Sequence, residues 1–249
     1  MGRQSSLIKV VGTLDDLNFY KTADGHLVRM KGGVSGDRIK NDPAFARTRE
    51  NMEEFKEINK AGKIIRGGFR NLIGRGADPR ASSRLVGVLS KIMKYDTTSL
   101  RGERKVGIGL IDAVAKSLLS NFNFNQFAEL DQIFKNELIV DEATGNVTIS
   151  NFNPSVDLVT PGGSTHCAME CGWTEINFTT GETVSSISTE SIHALDAPQS
   201  NVVLTPAQAP TGTGILMMAF KLSFYQTLNG RQYPLKNGSH NSLKLIHVG

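Results

Sequence analysis

From residue 137 to residue 220 the chain has neither lysine nor arginine, while nine carboxylates fall in that stretch. They are Glu137, Asp141, Glu142, Asp157, Glu170, Glu175, Glu182, Glu190 and Asp196. A segment so depleted of cations must find its counter-charge elsewhere in the chain or on a partner. Cysteine is nearly missing too: Cys167 and Cys171 are the only two, which excludes a disulfide scaffold. Their flanks read as a strand, where four steps separate them by about 13 Å. That is too far for a shared zinc ion or a disulfide, so both are expected as buried structural thiols.

Long apolar runs are lacking: none approaches the roughly 20 residues that a membrane-spanning helix needs. The first residues are too polar for a secretory signal, so the expected location is the cytoplasm, or export without an N-terminal signal peptide. Catalytic signatures are absent as well. There is no G-x-x-x-x-G-K-[ST] phosphate loop, no G-x-S-x-G elbow and no H-E-x-x-H pair. The five histidines, at 26, 166, 193, 240 and 247, are scattered, with His166 and His193 the pair that a sheet would bring together. No acid–base or nucleophile constellation emerges, so the chain is expected not to be an enzyme, with no cofactor, no metal and no small-molecule substrate.

What is present is a chain of 249 residues, 39% hydrophobic and 21% charged, enough for a real core. Its net charge of +4 hides a strong segregation. Residues 60–105 carry twelve lysines and arginines against Asp78, Asp96 and Glu103. The basic block and the acidic block are electrostatic complements.

The pattern predicts an α+β protein in three parts: a β-hairpin arm and linker (1–40), a small basic helical unit (41–122) and an acidic antiparallel β-sandwich (123–249). Residues 17–21 and 26–31 flank Thr22-Ala-Asp-Gly25, in which Gly25 supplies the positive φ of a short hairpin loop. Leu17, Phe19 and Leu27 are the expected anchors of that hairpin, and residues 31–40 read as linker. Asp42-Pro43 is a helix start. Phe55, Ile58, Gly62, Ile65, Phe69 and Leu72 form a seam of three- and four-residue steps, read as packing within the domain, and Gly67-Gly68 weakens or ends that helix. A second helix is expected after Pro79, capped by Ser82 or Ser83 and running to Tyr95. On its wheel Arg80, Arg84, Lys91 and Lys94 share one arc, opposite Leu85, Leu89 and Ile92. A third, over 110–119, offers Ile111, Val114, Ala115 and Leu118 as its buried stripe. Beyond residue 121 short strands are expected at 138–140, 146–149, 165–171, 174–178, 183–188, 202–204, 214–225 and 242–248.

Residues 12–29 (GTLDDLNFYKTADGHLVR), 41–55 (NDPAFARTRENMEEF) and 224–238 (FYQTLNGRQYPLKNG) resemble, in the same order, segments of a family of uncharacterised Bacteroidetes proteins. The resemblance implies a bacterial protein, intracellular or specially exported, and brings no activity, cofactor or catalytic residue with it.

The favoured reading is therefore a structural or interaction protein that self-associates. Arg80, Arg84, Lys91 and Lys94 would face Glu170, Glu175, Glu182 and Glu190, within one chain or head-to-tail between copies of a homo-oligomer, as a ring or filament. The hairpin offers a second means, adding its strands to a neighbour's sheet edge. Nucleic-acid binding through the basic helices is the alternative, disfavoured because few aromatics interleave with the charges.

Overall fold

The computed structural model describes residues 2–74, 76–235 and 238–249. Arg75, one of the twelve basic residues counted above, and Lys236 and Asn237, in the third resembling segment, lie outside the described residues. The chain divides into two compact units, Met1–Asn51 and Met52–Gly249.

In the first unit β1 (Gly2–Arg3), β2 (Gly12–Leu14), β3 (Leu17–Thr22) and β4 (Gly25–Met30) form an antiparallel sheet in the order β1-β4-β3-β2. The predicted hairpin is its centre, with Thr22 paired to Gly25 and Gly25 at φ 113°. The Thr22 hydroxyl clasps the turn, donating to the Gly25 carbonyl and accepting from the Asp24 N–H, both at 3.2 Å. The expected linker contains a short helix, α1 (Gly36–Asn41), that Ser35 caps. Asp42 then accepts from the Ala44 N–H at 2.9 Å and opens a 3-10 turn, Pro43–Phe45. That turn leads into α2 (Ala46–Gly68), which carries the chain past the unit boundary.

The second unit continues through α3 (Arg70–Ile73), α4 (Ala81–Ile92), α5 (Val106–Gly109), α6 (Ala113–Ser120) and α7 (Leu130–Ile133). Strands β5 (Ile139–Val140) and β6 (Val147–Phe152) follow, then α8 (Pro154–Asp157). The long β7 (His166–Ile176) leads to β8 (Thr183–Ile187), β9 (Ser191–Ala194), β10 (Ser200–Leu204), β11 (Ile215–Leu228), β12 (Arg231–Pro234) and β13 (Ser242–Val248). β7 pairs along its whole length with Ile215–Tyr225 of β11, and the two carry β8 and β9 on one side, β12 and β13 on the other. A separate antiparallel sheet has the order β10-β6-β5.

Alternation along β7 and β11 feeds two cores. Ile176, Met217 and Ala219, with Leu243 and Leu245 of β13, meet Ile65, Phe69, Leu85, Leu89 and Leu119 of the helical layer. Cys167, Met169, Cys171 and Trp173, with Met218, Phe220, Leu222 and Phe224, meet Val147, Ile149, Phe152, Val202 and Leu204 of the smaller sheet. The α+β class with its antiparallel sandwich is the fold, and the sandwich is unequal, six strands against three. The first core also joins segments on both sides of residue 122, so helices and large sheet pack as one body.

Glycine makes the helix–sheet contact close. α2 ends at Gly68, whose carbonyl accepts from the Thr174 and Ser185 hydroxyls at 3.3 and 2.8 Å. A Cβ there would lie 2.6 Å from the Thr174 methyl. Parts of both outer edges of the large sheet, along β13 and at the end of β8, are covered, as exposed edges otherwise invite pairing. The Phe124 N–H donates to Leu243 and the Leu245 N–H to Phe122 along β13, and the Ala207 N–H donates to Ile187 beside β8.

Four local expectations need correction. β7 is one strand, not two, because Gly172 in its middle admits Leu72, whose Cδ1 would lie 2.5 Å from a Cβ there. α4 has no serine cap; the Asp78 carboxylate accepts from the Arg80 N–H just before it. The third helix begins only at Ala113, capped by Asp112, and its buried residues are Ala115 and Leu119, while Ile111, Val114 and Leu118 stay exposed. Phe55 lies outside the buried seam that Ile58, Gly62, Ile65, Phe69 and Leu72 form.

Candidate interaction surfaces

The four cations of the predicted basic arc do not act alike. Arg80, Lys91 and Lys94 are exposed. Arg84 is engaged inside its own unit: it pairs with Asp78, donates to the Asn123 carbonyl at 2.8 Å and stacks over the Phe122 ring at 5.2 Å. Burial opposes ionisation of Asp78, yet the Gln126 N–H, the Arg84 guanidinium and the Arg80 N–H together hold its carboxyl below the usual range. Arg84 therefore fastens α4 to the 122–126 segment and is not a free surface charge. Lys91 and Lys94 line a shallow hollow with Tyr95 and Leu118.

The acidic residues are dispersed. Glu170 pairs with Lys221, its neighbour across β7 and β11, at 2.6 Å. Glu175, five steps on and so on the opposite face, accepts from the N–H groups of Gly212 and Gly214. Glu182 accepts from the Thr180 hydroxyl at 3.1 Å, and Glu190 from the Tyr225 hydroxyl at 2.6 Å. Among the described residues no ion pair joins Arg80, Arg84, Lys91 or Lys94 to any of these four acids. The two charge blocks are thus not docked on each other through these side chains.

The cysteines stand where the strand reading puts them, on one face of β7 and fully buried. Burial pushes the Cys167 thiol up to about 12 and raises Cys171 as well. His166 and His193 do not meet: His166 pairs with Ala194 and Cys167 with His193, so the two rings leave opposite faces of the sheet. Among the described residues no group of three or more His, Cys, Asp or Glu is placed to hold a metal ion. No helix among them is long and apolar enough to cross a membrane.

The feature that composition did not reveal is in the first unit. Register puts Leu14, Leu17, Phe19, Val28 and Met30 on one face of its sheet, and Arg3, Asn18, Tyr20, Leu27 and Arg29 on the other. Leu27 therefore does not share a face with Leu17 and Phe19. The hairpin is also not a bare strand pair, since β1 and β2 occupy its edges. Its apolar face is open: Leu14, Leu17 and Met30 are 66%, 40% and 73% exposed. Among residues 2–51 none is buried. Period-two alternation in 17–30 is the signal for this face, and what it does not reveal is that Leu14, Leu17 and Met30 on it stay exposed.

Compared with known proteins, the chain matches no family model, no curated protein and no solved structure.

Proposed function

We propose that this chain is a non-enzymatic structural or interaction protein that self-associates, with the apolar face of its N-terminal sheet seated on a second copy. The observation that carries this reading is the coreless first unit. An amphipathic sheet of four strands needs something against its apolar face to be stable, and side chains such as Leu14 and Met30 contribute little while in water. Charge supports a second copy as the occupant. Residues 2–35 hold five cations against Asp15, Asp16 and Asp24: Lys21 shares the apolar face with Leu17 and Phe19, Lys9 and Lys31 lie outside the strands, and Arg3 and Arg29 are on the opposite face. Residues 137–220 of another copy offer nine carboxylates and no cation. Exposed Arg80, Lys91 and Lys94 on one copy, with exposed Glu182 and Asp196 on the next, add long-range steering to that encounter.

The test is light-scattering mass of the full chain at low and high salt, with the nucleic-acid absorbance ratio recorded. The expected result is a nucleic-acid-free multiple of 27.1 kDa. Combined substitution Leu14→Asp, Leu17→Asp and Met30→Asp is expected to weaken association at least about a hundredfold. A 27.1 kDa particle at every concentration would overturn the reading. So would nucleic acid that copurifies and is lost in an Arg80→Glu, Lys91→Glu, Lys94→Glu variant, which would favour nucleic-acid binding instead.

A further inference from the structure

The second unit contains a hollow of about 550 Å³ between α2, α5 and the start of β11, a volume within the range of small-ligand sites. Its walls are mainly apolar: Ile108, Ile176, Phe178 and Ile215 line it beside Asn177, Thr179 and Thr213, with Ile176 fully buried in the first core and Phe178 and Ile215 packed against that core. One side is drawn tight by Gly107, where a Cβ would come within 3.0 Å of the Phe178 Cβ. The open side is charged. Lys60 and Lys105 are exposed and face the same space as Glu57. Lys105 stands 3.7 Å from the Glu57 carboxylate, beyond a direct hydrogen bond, so its ammonium donors are not spent there. Two ammonium groups against one carboxylate leave the hollow one positive charge in excess. Ile111, which also lines it, is 75% exposed, an apolar side chain left in water.

We propose that this hollow binds a small organic anion with an apolar body, of the medium-chain carboxylate class. The hydrocarbon would lie on Ile108, Phe178 and Ile215 and cover Ile111, and the carboxylate would meet Lys60 and Lys105. Ammonium groups recognise such a head as point charges, without the bidentate geometry that an arginine fork supplies. The site goes beyond the self-association reading and does not depend on it.

Equilibrium titration of the full chain with octanoate and decanoate, below their micelle concentrations, tests the assignment. Each buried methylene contributes about fourfold in affinity, so decanoate is expected to bind roughly fifteenfold tighter than octanoate, one per chain. Decylammonium, with the same tail and the opposite head, is expected to bind at least about tenfold more weakly. The double variant Lys60→Glu, Lys105→Glu and the single variant Ile111→Asp change exposed side chains, so unliganded unfolding midpoints should stay near those of the native chain. Each is expected to lose at least about tenfold in decanoate affinity. Equal affinity for decanoate and decylammonium, no chain-length dependence, or unchanged affinity in the charge-reversed variant would overturn the proposal. The Leu14→Asp, Leu17→Asp, Met30→Asp variant is expected to bind decanoate normally while losing association, which separates failure of this site from failure of the assembly reading.

Discussion

The two units of this chain solve the same problem in opposite ways. Residues 52–249 bury both faces of one large sheet, under helices on one side and under three strands on the other. Residues 2–51 build a sheet of comparable regularity and bury no residue at all. Regular hydrogen bonding and a good turn are thus enough to define strands, whereas stability must come from what covers them. Leu14, Leu17 and Met30 therefore contribute little to stability while they remain exposed.

Core truncation should separate the units most sharply. Phe220→Ala removes a fully buried ring from the second core and is expected to cost about 3–5 kcal/mol in denaturant unfolding. Phe19→Ala, on the open sheet face, is expected to leave that transition nearly unchanged and to act on association. Equal losses would erase the distinction.

A smaller effect is expected at Asp96. This buried carboxylate accepts from the N–H groups of Thr98, Ser99 and Lys105 and from the Thr98 hydroxyl, gathering the loop between α4 and α5. Burial alone would raise its pKa, but these bonds overcome it and leave the group well below the usual 3.8. A depressed native pKa means stability that is fully present above the unfolded value of about 3.9 and lost as pH falls through the native one. Asp96→Asn is expected to cost about 2–3 kcal/mol at pH 7. The gap to the native chain should narrow as pH falls below about 4, and a gap independent of pH would remove the ionised-knot account.

Neighbouring glycines give opposite signs at about 1 kcal/mol. Gly67 is exposed in α2 with nothing within 4 Å of an added Cβ, so Gly67→Ala should stabilise by about 0.5–1 kcal/mol. Gly68→Ala must push against the Thr174 methyl and should destabilise by about 1–3 kcal/mol. Brief trypsin treatment should expose the comparison with no variant at all. Cleavage is expected first within residues 2–51, and Cys167 and Cys171 should resist thiol reagents until the second unit unfolds. Early cleavage at Lys221 inside β11 or at Lys244 inside β13 would contradict it.

Much of this architecture was readable along the chain. The hairpin turn at Gly25, the seam through Ile58, Ile65 and Leu72, the stop at Gly68 and the strand Ser242–Val248 all follow from spacing and residue type. The failures share one cause. Gly172 looked like a break because its reason is Leu72, a hundred positions away in sequence. Arg84 sat on a basic arc because a helical wheel does not show Asp78 or Phe122. Ile111 and Val114 were assigned to the core because periodicity names a stripe without saying whether anything packs on it. The hollow beside Lys60 and Lys105 has no local signature at all, since its walls come from four distant segments.

Local physics therefore settles the α+β class, the alternation of the strands, the burial of two thiols and the segregation of charge. Propensity and period act over a few residues and are written into the chain directly. Which sheet face receives helices, which cation is locked in place and which apolar face is left open depend on contacts between residues far apart in the chain. Those contacts exist only once the chain has closed on itself, and it is there that both the open sheet and the charged hollow arise.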